Sequence, residues 1–183
     1  VIVEHFEMLY PVLGRNADLL IGVGEEVLVT RPTIFGPLPQ DISNIVSKSI
    51  AYRKMAHTAE DLVEHCLPED MVLECIHGDV KRGFYLSFDH NPDIDLYELE
   101  GKVKDMIKQD IGVSFYDEYH VKIGNAIHPC TGPRIHVRST GEIENFRLLK
   151  EIFHDPTDQR FLMVGLVGER WDYETEDLNR IAF

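Results

Sequence analysis

Apolar residues recur between residues 41 and 66 at close to helical spacing: Ile42, Ile45, Val46, Ile50, Ala56, Ala59, Leu62, Val63 and Cys66. A period near 3.6 predicts one long amphipathic helix, capped by Asp41 and closed at Leu67-Pro68. A second helix is expected after the Asn91-Pro92-Asp93 turn. Ile94, Tyr97, Val103, Met106 and Ile107 face inward there, and Glu98/Lys102 and Glu100/Lys104 pair outside. Strand patterns occupy LLIGV and VLVT within residues 18–30, joined around Gly24-Glu25. Others lie at 71–76, 83–88, 113–121, 134–138 and 161–167. Residues 139–153 support two readings. Ser139 with Glu142 fits a capping box and hence a helix. Phe146, Leu148, Lys150 and Ile152 alternate as in a strand.

Helices set among runs of strands predict an α+β fold, an antiparallel sheet packed with a long helix. RPTIFGPLP at 31–39 interrupts regular structure, with three prolines and a glycine. It separates a small β-rich segment, 1–40, from an α+β domain, 41–183.

Composition narrows the class. The 183 residues are 44% apolar and 27% charged, an ordinary globular mixture able to bury a core without staples. No apolar run approaches the ~18 residues of a membrane span, so no membrane partner is expected. The acidic N-terminus lacks the basic region of a secretory signal. The chain opens on Val1, and the expectation is of a processed chain or a fragment of a larger protein. Eighteen Lys and Arg against 32 Asp and Glu give a net charge of −14. That argues against broad nucleic-acid binding and leaves room for a small basic pocket holding one nucleotide end. Cys66, Cys75 and Cys130 have no framework spacing, so reduced thiols and a cytoplasmic location are expected.

Several mechanisms lack their motifs. GLVGER at 165–170 has neither the lysine nor the hydroxyl of a P-loop. GxGxxG, GxSxG and HExxH are missing.

Three separated segments carry a more specific signal: HTAEDL from His57, RGFYLSFD from Arg82, and Cys130-Thr-Gly-Pro followed by STGEIENFRLL from Ser139. In this order they resemble the second additional domain of threonyl-tRNA synthetase. That superfamily also holds the alanyl-tRNA synthetase editing domain, free-standing alanyl-tRNA editing proteins and part of some uridine-kinase-like proteins. The family reads HSAAHLL or HTALHLL, then DGFYYDFD, then CRGPHVPSTGEIKAFKLL. The likeness covers residues 52–171 and implies a helix-bearing antiparallel sheet, with a strand over 146–152. IGVGEEVLVTRP faintly resembles the end of the β-grasp module that precedes this domain in threonyl-tRNA synthetases.

The resemblance implies an editing site of two histidines four apart on the helix and a cysteine and histidine four apart on the later segment. Alanyl-type members hold zinc with these four. Bacterial threonyl-type members are held to use them without metal. Here His57 and Cys130 match, while Asp61 and Arg134 replace the other two histidines. Positions 57 and 61 share a helix face, so His57 and Asp61 suit a metal or an oriented His–carboxylate pair. Arg134 cannot ligate and attracts anions such as phosphate. His136 lies two residues on. If it takes the lost position through a bulge, His57, Asp61, Cys130 and His136 make a tetrahedral zinc set. His65, His77, His120 and His128 have no family counterpart and read as background. Trp171 reads as a packing residue and 169–177 as an acidic surface.

The implied activity is hydrolysis of the ester joining a wrong amino acid to the tRNA 3′ adenosine. His57 serves as general base, Asp61 sets its tautomer, Cys130 orients water, and Arg134 holds the terminal phosphate. A synthetase partner supplies the basic surface this chain lacks. The alternative is a noncatalytic module of the same fold that binds a nucleotide or a protein partner. Convergence of His57, Asp61, Cys130 and Arg134 or His136 in one cleft favours the enzyme. A filled cleft favours the alternative.

Overall fold

The computed structural model describes residues 1–25, 27–31, 38–68, 70–71, 76–80 (backbone only), 82–130 and 134–169. The chain divides into two compact units, with a division between Ile50 and Ala51. The division falls inside the helical run, beyond the proline-rich segment the sequence offers as a boundary. The fold is α+β with antiparallel sheets, as the patterning predicts.

The first unit begins with α1 (Phe6–Leu13), which the sequence pattern does not announce because Pro11 lies inside it. The hairpin of β1 (Leu20–Val23) and β2 (Val27–Thr30) matches expectation, pairing Ile21 with Val29 and Val23 with Val27. Against it lies α2 (Pro39–Ser47), built on a proline at its start. Asp41 is inside this helix rather than its cap, and its carboxylate accepts the Leu38 N–H at 3.2 Å. Gly22 lets α2 approach closely: a Cβ there would stand 2.6 Å from Ile42 Cγ2.

The expected single helix is two. The chain leaves helical geometry at Lys48 (φ −129°, ψ 14°) and resumes in α3 (Ser49–Cys66). Apolar periodicity continues across this break, which is why the pattern does not show it.

In the second unit, β3 (Ile76–Val80), β4 (Gly83–Phe88), β10 (Arg160–Leu166) and β8 (Arg147–Leu148) form one antiparallel sheet in that order, with β9 (Phe153–Asp155) also on β10. The strand expected over 71–76 falls mostly outside the described residues, and the described strand starts at Ile76. One buried cluster joins Ala59, Leu62 and Val63 of α3 to Phe84 and Leu86 of β4, Met163 of β10 and Val103 of α4 (Leu96–Lys108). Asp95, rather than the Asn91-Pro92-Asp93 turn, caps α4 by accepting the N–H groups of Tyr97 and Glu98.

The expected strand 113–121 is a hairpin of β5 (Val113–Asp117) and β6 (His120–Ile123), continued by β7 (Ala126–Pro129). Residues 134–138 form no strand. Thr58 and His57 of α3 bond to their backbone, and the Val113 N–H donates to Arg138 O. Over 139–153, Ser139 makes no side-chain cap and only a 3-10 turn forms at Thr140–Glu142, so the capping-box helix does not form, and the strand reading holds for β8 alone. No helix among the described residues is long and apolar enough to cross a membrane.

Candidate functional site

The site grows from the buried face of α3. His57, Thr58, Glu60 and Asp61 are buried, Glu60 at 0% and Asp61 at 2% exposure. Carboxylates reach this depth only with partners, because losing their hydration is costly. The partners come from the segment that follows Cys130.

Thr58 holds that segment in place. Its hydroxyl donates to Lys54 O at 2.8 Å and accepts the Val137 N–H at 3.1 Å. On the preceding residue, His57 Nδ1 stands 3.2 Å from Ile135 O. A carbonyl only accepts, so this bond places a proton on Nδ1. The backbone of residue 135 does for His57 what the sequence assigns to Asp61.

Asp61 turns to a different histidine. Its Oδ2 is 2.9 Å from His136 Nε2, and its Oδ1 is 4.0 Å from an Arg134 terminal nitrogen. Both are ion-pair contacts only: neither Asp61 oxygen accepts a hydrogen bond and His136 Nε2 makes none. The His57 and His136 rings lie 6.3 Å apart, inclined by 59°.

Arg134 is committed to carboxylates. Its guanidinium meets Glu60 Oε1 at 2.9 Å, with only 13% of the side chain exposed. Burial acts to lower its proton affinity, but Glu60, then Asp61 and Glu64, outweigh it and hold the guanidinium above its ordinary range.

Cys130 is half-buried, its N–H bonded to Tyr119 O at 2.7 Å. Burial pushes its thiol up, and Asp61 pushes further, against a smaller lowering by Arg134. A thiol so placed is a poor nucleophile and a reluctant metal ligand.

Thus His57, Asp61, Arg134 and His136 come together by direct contact, and Cys130 lies within the field of Asp61 and Arg134. Residues 131–133 are outside the described residues. Among the described residues, no three His, Cys, Asp or Glu side chains are grouped to hold a metal ion. His136 faces Asp61, and the His57 proton lies on the nitrogen bonded to Ile135.

Sequence reasoning overlooked Glu60, the buried partner of Arg134. It also set aside His65 and His128, whose rings meet edge-on at 4.4 Å. Burial lowers the proton affinity of His128 and His65 lowers it further, against the opposing charge of Asp61. The available signal was spacing: His57, Asp61 and His65 recur every fourth residue along α3. His77 and Trp171 fall where no side chain is described.

No protein-family model and no curated protein matches this chain.

Proposed function

We propose that the second unit is an ester hydrolase acting on aminoacyl-tRNA, an editing-type deacylase built on the fold its motifs resemble. One observation carries the reading: His57 is buried and oriented by Ile135 O beside a second imidazole, His136, that is set against Asp61. An imidazole with a fixed tautomer is the equipment of a general base.

In this reading His57 Nε2 takes a proton from water as its oxygen attacks the ester carbonyl. The tetrahedral adduct collapses, the bond to the ribose oxygen breaks, and the imidazolium returns the proton to that oxygen. The products are a free amino acid and the tRNA 3′ end. His136 faces the developing charge, positioned by Asp61. Arg134 does not grip phosphate here; it balances Glu60 and shapes the acidic wall. Cys130 orients rather than attacks. The net charge of −14 leaves tRNA capture to a partner with a basic surface, such as a synthetase.

A noncatalytic module of the same fold is the second reading. It is favoured by the closure of the site, with Glu60 and Asp61 buried beneath Arg134. Release of amino acid from seryl-tRNA(Thr) or glycyl-tRNA(Ala), with and without zinc, tests the first reading. A folded sample that releases nothing under either condition moves the assignment to the second.

A further inference from the structure

Two consecutive side chains of α3 grip the 135–137 backbone with opposite polarity. His57 donates from Nδ1 to Ile135 O at 3.2 Å, and Thr58 Oγ1 accepts the Val137 N–H at 3.1 Å. An acceptor and a donor two residues apart in the segment are thus met by side chains one residue apart on the helix.

The Thr58 end of this grip has one possible polarity. Its hydroxyl proton goes to Lys54 O at 2.8 Å, so toward Val137 the oxygen can only accept. Thr58 is 0% exposed, and a buried N–H is nearly always partnered, so Val137 is held to this oxygen. That bond fixes where the segment lies along α3, and with it the place of the Ile135 carbonyl two residues earlier. Arg134 and His136 also meet α3, each at 2.9 Å from Glu60 and Asp61 respectively. Those contacts run through rotatable side chains and leave the backbone room to shift.

A neutral imidazole carries one proton, and the carbonyl of Ile135 decides which nitrogen has it, because only an Nδ1–H can meet an acceptor there. We propose that Thr58 is the positioning residue for this choice: by fixing the Ile135 carbonyl it holds His57 in the Nδ1–H form. The use of that form in catalysis rests on the deacylase reading, whereas the tautomer itself does not. A merely structural threonine would lower stability when replaced and leave the proton where it is.

The test reads the tautomer by nitrogen NMR of the full chain carrying isotope-labelled histidine, well above the ordinary imidazole value of ~6.5. The His57 signal is assigned from the His57→Ala spectrum. Wild type should show the Nδ1–H form. Thr58→Val should move the population toward Nε2–H, and Thr58→Ser, which keeps the oxygen, should restore Nδ1–H. Thr58→Cys, whose thiol is a weak acceptor, makes the same comparison if the valine variant does not fold. An Nε2–H form in the wild type, or the wild-type tautomer retained in the folded valine or cysteine variant, overturns the inference. Single-turnover deacylation of seryl-tRNA(Thr), run in parallel, separates the two claims. Thr58→Val should slow it by roughly tenfold to a hundredfold, the scale for a misplaced catalytic group. A tautomer shift with no turnover by any of the proteins removes the hydrolase and keeps the positioning role. Equal turnover by wild type and Thr58→Val, with the tautomer unchanged, keeps the hydrolase and removes the positioning role.

Discussion

Asp61 faces His136 at 2.9 Å, although His57 lies one turn away on its own helix. The two histidines thus have different supports, a carboxylate for His136 and the carbonyl of Ile135 for His57. This division predicts different consequences for mutations that look alike in sequence.

Thr58 is the clamp between α3 and the 134–137 segment. Thr58→Val keeps its volume but strands the buried Val137 N–H, a loss of about 1–3 kcal/mol. Urea denaturation should show a lower midpoint, and hydrogen exchange at Val137 should speed up. An unchanged exchange rate there would remove Thr58 from this role.

Arg134 balances a fully buried carboxylate. Arg134→Ala should cost about 3 kcal/mol, because Glu60 loses the cation that faces it. Replacing both, Glu60→Leu with Arg134→Met, should cost less than Arg134→Ala alone. Chemical denaturation of the two variants decides this. If the double variant is the less stable, the pair is not the constraint.

Glu100 sets the acid response of the second unit. Burial works to raise its carboxyl, but the Lys104 and Lys150 ammonium groups and the Leu148 N–H at 2.7 Å outweigh it and hold it low. The folded state thus binds its proton later than the unfolded chain. The resulting stability is present above the unfolded value, about 4.3. It is lost as pH falls through the lower folded value. Wild type should lose stability across this window, and Glu100→Gln should show a shallower loss. Parallel pH profiles for the two would contradict the assignment.

Gly165 sits on β10 opposite Phe84, whose ring occupies the place a Cβ would take. Gly165→Ala should destabilise by about 1–3 kcal/mol through overpacking. The drop in thermal midpoint should be partly recovered by Phe84→Leu in the same chain.

Local signals made much of the framework legible. The run 83–88 pairs as a strand, and the outer Glu98–Lys102 pair of the 96–108 helix is readable in sequence, but its buried face is Leu96, Leu99 and Val103, while Tyr97, expected inward, is 73% exposed and Ile94 precedes the helix. Other features depend on distant contacts. Nothing near Arg134 reveals that its neighbours bond to Thr58 and His57 instead of to another strand. Apolar spacing continues through Lys48 in the sequence alone: Ile45 and Val46 are buried, whereas Ile50, beyond the break, is exposed. At the site, the shared face of His57 and Asp61 could be read from their spacing. The choice of His136 by Asp61 could not, because it joins positions far apart in the chain and depends on side-chain direction. Glu60 was hidden by its type: a glutamate on a helix reads as solvated until a guanidinium is found over it.

The most direct test of the central claim is single-turnover deacylation of seryl-tRNA(Thr) by wild type and His57→Ala, with folding of both verified. The account predicts release by wild type and a loss of roughly a hundredfold or more in the variant, the range for removing a general base. Equal rates in both proteins, or no release by folded wild type, would contradict it.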